Sequence, residues 1–501
     1  MDPGSASSCQ YQYSPLPSST SIRLLELQAS SANEISLTMH ASEIDTALPF
    51  DALSYTWGNP RSPYIESPSS ERHAFGIASF PATCNGLTLM IRPNLRDALR
   101  MLQTTSFSSL GRSKQRYIWI DAICINQANL KERASQVALM ASLYQRAESV
   151  IAWLGPEDET TADAFAVMDR LSSISFIPKS ASELHITSEA YSIVTAADFL
   201  NPVSYRSKLG IDPLTPENWL AWLIFIHRPY FKRAWVVQEV TLAKSIIAIC
   251  GTRSFDWQKL SIALYFLAHT KWFSKLHPEY FRMNVVHNAP AMYSKILAQS
   301  LDPGIGAMYL NQTRNGTNLA GKFYKFEMLL KNHRYCEASD SRDIIYALLG
   351  ISQKESKPFT THGHLLMPDY TIPVETLYTR IARILIQSYG DLRFLPHREG
   401  RRWRYISGLP SWVPDYSAKL LPDPFALRGP NCNWCASGSL EWKIDNRHYD
   451  DPLLDVQGIF VGKVSARSDD PSGNKDWDGL WTSACKVAQG LYLYYGLAVD
   501  S

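Results

Sequence analysis

Residues 116–155 constrain the fold of this 501-residue chain more than any other stretch, and they read RYIWIDAICINQANLKERASQVALMASLYQRAESVIAWLG. Short apolar runs at 117–120 and 149–154 have the composition of buried parallel strands, and the second run stops at a Gly-Pro pair. Between them, apolar residues recur every three or four positions, which is typical of a helix with one buried side. The stretch therefore predicts a strand, a helix and a second strand, with the strands parallel and the connection right-handed.

Polar residues mark the end of the first strand and the start of the helix. Asn129 lies three residues before Glu132, which predicts a capping box in which Asn129 caps the helix and Glu132 reaches back to it. Asp121, Asn126 and Gln127 follow the first strand directly. Because ligands gather at the carboxyl ends of parallel strands, we expect these three side chains at a binding site. The alternative for Asp121 is that it only caps the following turn.

Three blocks of the sequence resemble a known family. FDALSYTWG stands at 50–58, WIDAICINQ begins the central block at Trp119, and FKRAWVVQEV stands at 231–240. They occur in the order seen in the fungal heterokaryon incompatibility (HET) domain. A further segment, SRDIIYALLGIS at 341–352, is similar to a block found downstream in HET-domain proteins.

A second resemblance concerns the chemistry. FDALSY is similar to the first strand motif of Toll/interleukin-1 receptor (TIR) domains, and Trp235 followed by Glu239 is similar to their Trp-Cys-x-x-Glu helix motif, with Val236 in place of the Cys. In TIR domains that hydrolyse NAD the glutamate is catalytic, so the resemblance implies Glu239 as the catalytic residue. It implies NAD as a candidate substrate, and no cofactor is assigned from the sequence.

A nucleotide pocket around Glu239 would take its other contacts from the same motifs. No GxGxxG or GxxxxGK[ST] loop occurs, which disfavours a classical dinucleotide dehydrogenase or a P-loop NTPase. The opposing interpretation makes Trp235 a core anchor and leaves Glu239 and Arg233 as solvated or salt-bridged helix residues. The candidate binding residues are Ser54, Tyr55, Trp57, Gly58, Asp121, Asn126, Gln127, Arg233 and Trp235.

Composition limits the partners. The chain has 49 Lys and Arg against 47 Asp and Glu, a net charge of +2, so no global field would draw it to nucleic acid. Its eight cysteines are scattered, and Cys432-x-x-Cys435 lacks a second ligand pair, so we expect a reducing compartment and no zinc site. No apolar run is long enough to span a bilayer, and the first 20 residues lack the features of a signal peptide. We expect a cytoplasmic protein without a nucleic-acid partner or a membrane span.

These patterns predict an α/β fold. We expect a TIR-like, mainly parallel sheet flanked by helices, followed by a helical region and a small β-rich C-terminal region. The expected boundaries are a disordered leader at 1–20, the HET domain at 21–255, helices at 256–425 and the β-rich tail with a terminal helix at 426–501.

Three functions remain open. The HET resemblance implies an effector of fungal non-self recognition that promotes growth arrest and programmed cell death. Its partner would be another protein, such as the product of an incompatible allele, or a further copy of itself. The TIR resemblance implies an NAD(P) glycohydrolase effector. The third possibility is a non-enzymatic module that acts through protein interaction or regulation. Such a regulatory module could be associated with a metabolic pathway.

Overall fold

The computed structural model describes residues 10–28, 34–65, 79–104, 117–174, 192, 202–269, 305–320, 324–390, 392, 394–395, 404–418 and 447–456. Every helix and strand named below belongs to one compact unit, Met1–Leu440 with Asn446–Leu454. A second unit comprises Glu441–Asp445 and Asp455–Ser501, and only residues 455 and 456 of it are described. The predicted β-rich tail therefore lies outside the described residues, apart from 447–456.

Within the described residues, nine strands form one mixed sheet in the order β5-β4-β2-β1-β6-β3-β7-β8-β9. The four neighbouring strands β6, β3, β7 and β8 run parallel to one another, and antiparallel pairs join β1 to both β2 and β6, β4 to β5, and β8 to β9. The predicted α/β class with a parallel sheet is confirmed. The strands are β1 (Ser21–Leu27), β2 (Ser36–Glu43), β3 (Phe50–Tyr55), β4 (Phe80–Cys84), β5 (Leu87–Ile91), β6 (Tyr117–Trp119), β7 (Val150–Trp153), β8 (Ile246–Cys250) and β9 (Arg253–Asp256).

Strand β3 is the centre of the parallel part of the sheet. All six of its residues are buried, as the run FDALSY predicts. In chain order, β6 is added on one side of β3 and β7 on the other. Strand order thus reverses at β3, and such a reversal opens a crevice at the carboxyl ends of the strands.

Helices surround the sheet and continue beyond it. Helix α6 is buried along its whole length and packs against α3, α8 and α10, whereas α4 packs against α5 and α7. No helix of the described ranges combines the length and the apolar character needed to cross a bilayer. The helices are α1 (Pro93–Thr104), α2 (Asp121–Cys124), α3 (Leu130–Arg146), α4 (Thr161–Ser173), α5 (Pro216–Ile226), α6 (Ala234–Leu242), α7 (Trp257–His269), α8 (Ile305–Ala320), α9 (Phe326–Asn332), α10 (Asp343–Leu349), α11 (Lys357–His362) and α12 (Val374–Tyr389), with a three-residue helical turn at Pro202–Ser204.

The described helices after residue 255 do not form a separate body. Helices α7 to α12 belong to the same compact unit as the sheet, and α6 contacts both α8 and α10. The predicted division between a HET domain at 21–255 and a helical region at 256–425 therefore falls inside one structural unit. Sequence motifs end where their pattern ends, whereas a hydrophobic core extends to every helix that it can bury.

The predicted disordered leader is wrong for residues 10–20. The Tyr11 amide donates to the Thr88 carbonyl (2.8 Å) and the Tyr13 hydroxyl donates to the Ile123 carbonyl (2.8 Å). The ring centroids of the two tyrosines lie 5.2 Å apart in an edge-to-face contact. These aromatic rings give the segment apolar surface to bury, which its Ser and Pro content concealed. Residues 1–9 lie outside the described residues.

Only one of the two contacts of the predicted capping box is formed at the start of α3. The Asn129 side chain accepts from the Lys131 and Glu132 amides, both at 3.1 Å, so it caps the helix. The Glu132 carboxylate does not return to Asn129. It binds the buried Arg23 guanidinium (2.6 Å) and the Asn126 amide (2.8 Å) instead, because a buried guanidinium needs a charged partner.

Candidate functional site

A cavity of about 590 Å³ opens at the carboxyl ends of β3 and β6. Its volume falls in the range of sites that bind small molecules. Two parts of the chain enclose it: the strand ends with α3 and α6, and a downstream segment that leads into α10. The lining residues are Thr56, Trp57, Gly58, Asp121, Ile125, Gln127, Arg133, Val137, Met140, Pro229, Arg233, Trp235, Glu337, Ala338, Ser339, Asp340, Asp343 and Tyr370.

Asp121 holds the strand-end wall together. One carboxylate oxygen, Oδ2, accepts from Trp57 Nε1 (3.0 Å) and from Arg233 Nη2 (2.9 Å), while Oδ1 accepts from the Ala122 amide (2.7 Å). Its side chain is 8% exposed. Asp121 therefore fixes the indole of Trp57 and the guanidinium of Arg233 on the same side of the cavity.

Arg233 connects this wall to the interior of the sheet. It stands just before α6, and its Nη1 donates to the Tyr55 carbonyl (2.7 Å) and to Glu239 Oε1 (3.2 Å). Burial by itself would lower the pKa of Arg233, but the carboxylates of Glu239 and Asp121 raise it above its usual value. Arg233 is thus a fixed cation placed between two carboxylates.

Glu239 lies behind Arg233 and does not line the cavity. It is 1% exposed and accepts a short hydrogen bond from the Ser54 hydroxyl, which also shares a hydrogen bond of 2.9 Å with the Tyr230 hydroxyl. Burial raises the pKa of Glu239 to about 7, although Arg233 opposes the shift. Glu239 points from α6 at β3 and lies outside the cavity wall, and its catalytic role stays a prediction.

The raised pKa predicts how stability depends on pH. A carboxyl group with a pKa of about 7 in the folded chain and about 4.5 in the unfolded chain keeps its proton to a higher pH when folded. Burial of Glu239 therefore costs no folding stability below about pH 4.5. As the pH rises to about 7, the free energy of unfolding falls progressively, by about 3 kcal/mol in total. Between these limits we expect wild type to lose stability relative to Glu239→Gln. Urea unfolding of both proteins across this range measures the difference, and parallel curves would contradict the expectation.

The downstream wall was not foreseen from the sequence. The Tyr370 hydroxyl donates to Asp343 Oδ1 (2.6 Å), and the Arg133 guanidinium carbon lies 3.7 Å from the centre of the Tyr370 ring. Arg342 binds Asp340 through Nε (2.9 Å) and Nη2 (2.8 Å). The 341–352 block could have directed attention to Asp343. Nothing local marks Arg133, because it is one of several charged residues in the first turns of α3.

Backbone contacts tie this wall to α6. The Ala234 amide donates to the Glu337 carbonyl (2.9 Å), and the Glu337 amide donates to the Lys232 carbonyl (2.6 Å). The downstream chain thereby satisfies an amide in the first turn of α6, which has no partner within the helix. The same helix carries Trp235 and follows Arg233, so the downstream segment helps to position both.

The residues predicted from the sequence gather at this one place, at different depths. Asn126 does not line the cavity, and its amide donates to Glu132. The Gln127 amide group donates to the Asp121 carbonyl (3.0 Å). Trp57, Gly58, Asp121, Gln127, Arg233 and Trp235 line the cavity, and Ser54, Tyr55 and Glu239 are buried beneath it.

Asn94 supports the site in a way that the sequence did not indicate. Asn94 is the second residue of α1, which begins at Pro93. The Asn94 side chain donates to the Thr56 carbonyl (2.6 Å) and accepts from Trp153 Nε1 (2.8 Å). It therefore joins the ends of β3 and β7 directly before the loop that carries Trp57.

The cavity offers carboxylates, guanidinium groups and aromatic rings, and this set suits a polar small molecule with a planar part. Across the described ranges, no three His, Cys, Asp or Glu side chains are grouped so that they could hold a metal ion.

The fold and the cavity define an α/β protein with a candidate ligand site where the strand order of its sheet reverses. Residues 50–239 match the family model described as Heterokaryon incompatibility protein (HET). This segment of the chain is therefore similar to a HET domain. The chain is 25% identical over 453 residues to Heterokaryon incompatibility protein 6, OR allele, of Neurospora crassa, in an alignment that covers 80% of this chain. The chain spans 58% of the length of that relative. No solved structure matches the chain.

Proposed function

We propose that this protein acts in fungal heterokaryon incompatibility, as a cytoplasmic effector of non-self recognition that promotes growth arrest and programmed cell death. The observation that carries the proposal is the similarity to Heterokaryon incompatibility protein 6 over 80% of the chain. The family match begins at β3 and ends in α6, and it includes the strand-end wall of the cavity. The product of an incompatible allele, or a second copy of the chain, is the proposed partner.

Controlled expression in a filamentous fungus tests this function. We expect induction of the wild-type chain to stop hyphal growth and to admit a vital dye. Asp121→Asn removes the charge that holds Trp57 and Arg233, so it should abolish both effects. Asp169→Asn is the matched control, because Asp169 pairs with Lys259 on the surface, where the two side chains are 56% and 50% exposed. Normal growth under wild-type expression would contradict the proposal.

A second candidate is an NAD(P) glycohydrolase, and the position of the motif residues favours it. Six of the binding residues predicted from the sequence line one cavity, and Glu239 contacts one of them, Arg233. In this candidate Asp121 is the carboxylate that faces the ligand, and a carboxylate beside the anomeric carbon stabilises an oxocarbenium-like transition state. Glu239 is then a positioning residue that acts through Arg233.

NAD consumption by the purified protein tests this candidate. We expect turnover in wild type at concentrations that permit self-assembly, and none in Asp121→Asn. Glu239→Gln should keep part of the turnover but change its pH profile, since the group with a pKa of about 7 is gone. No turnover in wild type would exclude the enzyme and favour a non-enzymatic interaction or regulatory module.

A further inference from the structure

Arg133 lies in the cavity wall and is not among the site residues predicted from the sequence. It sits in the second turn of α3, and its side chain is 22% exposed. The guanidinium carbon is 3.7 Å from the centre of the Tyr370 ring, a stacking distance. Tyr370 is itself buried and anchored through its hydroxyl to Asp343. The plane of the Arg133 guanidinium is thus fixed before any ligand arrives.

The two guanidinium groups of the cavity differ in how firmly they are paired. Arg233 contacts the Tyr55 carbonyl at 2.7 Å and Asp121 at 2.9 Å, in addition to Glu239. Among the described residues, Arg133 contacts carboxylates only through Nη2, at 3.4 Å to Asp343 and 3.6 Å to Asp340. Strong charge-assisted hydrogen bonds are about 2.7–2.9 Å long, so both contacts of Arg133 are loose.

The carboxylates near Arg133 have closer partners. Asp340 is bound by Arg342 at 2.8 Å and 2.9 Å, and Asp343 accepts from Tyr370 at 2.6 Å. Burial raises the pKa of Asp343, although its hydrogen bond from Tyr370 and the charge of Arg133 oppose the shift. The charge of Arg133 is therefore incompletely matched within the described part of the protein, and Nη1 and Nε take part in no ion pair there.

We propose that Arg133 binds an oxyanion, a carboxylate or a phosphate, of a small ligand in this cavity. A planar guanidinium with two adjacent donors matches such a group geometrically, and a partly exposed position leaves it accessible. Trp57 and Trp235 line the same cavity and provide apolar surface for the remainder of the ligand. The proposal rests on the cavity being the functional site of the protein. It adds the chemical class of the group recognised there.

Pairs of probes that differ only in the oxyanion test the proposal by calorimetric titration of the full chain. Adenosine 5′-phosphate is compared with adenosine for phosphate, and nicotinate with nicotinamide for carboxylate. One charge-assisted contact of this kind contributes about tenfold in affinity, so at least one anionic probe should bind about tenfold tighter than its neutral mate. The pair that shows the preference identifies the source of the oxyanion.

Substitutions then assign the preference to Arg133. Arg133→Gln should reduce the preference to about twofold or less, and Arg133→Lys, which keeps the charge but loses the planar fork, should retain an intermediate preference. Arg206→Gln is the control, since Arg206 is 72% exposed in a surface pair with Asp212. Circular dichroism checks folding, and Arg133→Lys decides the matter if Arg133→Gln does not fold.

Three outcomes overturn the proposal: no anionic preference in wild type, a full preference in a folded Arg133 variant, or an equal loss in Arg206→Gln. The titration requires neither cell death nor catalysis. A chain that binds the anion but does not arrest growth would refute the proposed function and leave the role of Arg133 intact.

Discussion

Arg233→Ala is expected to lower the free energy of unfolding by about 3–5 kcal/mol at alkaline pH, the cost of removing one partner from a buried ion pair. Arg233 contacts Asp121 at 2.9 Å and Glu239 at 3.2 Å, and its own side chain is 13% exposed. Its loss would leave two largely buried carboxylates without their cation. The Tyr55 carbonyl at the end of β3 would lose its donor as well.

Urea unfolding of Arg233→Ala at several pH values measures this effect. The loss should shrink as the pH falls towards about 7, because Glu239 without its cation takes up a proton at a higher pH than it does in wild type. Below about 7 Glu239 is protonated in both proteins, so it should change the loss no further. Arg206→Ala is the matched control. It breaks a surface pair in which the side chains are 72% and 75% exposed, and it should cost less than about 1 kcal/mol. A loss below about 1 kcal/mol for Arg233→Ala itself would show that the buried pair contributes no more than a surface pair.

Gly155→Ala is expected to destabilise the protein by about 4 kcal/mol, from about 2 kcal/mol of backbone strain and about 2 kcal/mol of overlap. Gly155 follows β7 with φ of +97°, a conformation that side chains other than glycine rarely adopt. A Cβ atom added there would lie 2.5 Å from the Cβ of Pro60. Pro60 lies in the same loop as Trp57 and Gly58, so the substitution should also disturb the cavity.

Gly210→Ala separates the two contributions. Gly210 also has a positive φ, +68°, but nothing lies within 4 Å of the Cβ that alanine would add. Only the backbone strain applies there, so the cost should be about 2 kcal/mol or less. Thermal and urea unfolding of both variants provide the comparison. Equal costs would show that the chain around Pro60 yields to the new methyl group.

The cavity extends beyond the segment that matches the HET family model. The family match ends at residue 239, yet Asp340, Asp343 and Tyr370 line the same cavity as Asp121. The downstream chain also satisfies an amide of α6 through the Glu337 carbonyl. A segment bounded by the family match would thus lack one wall of the cavity and part of the support for α6.

The sequence by itself determined the elements whose signals are local. Alternating strand and helix periods predict β6, α3 and β7 at 116–155, and Gly390 ends α12 in the left-handed conformation expected of a helix stop. The position of Asp121 directly after a buried strand predicts that its side chain lies at the crevice. In each case the determining interactions lie within a few residues of chain, and the sequence displays them directly.

Only the tertiary structure decided which of these residues face the cavity. Glu239 is in α6 and Ser54 is in β3, far apart in the chain. No local pattern predicts that their side chains meet in the core beneath Arg233. Arg133 and Tyr370 are likewise brought together from α3 and a distant downstream segment. Such contacts depend on how whole helices pack against the sheet to bury apolar surface. That packing sets the depth, the partners and the pKa of each charged group, and the local sequence carries no record of it.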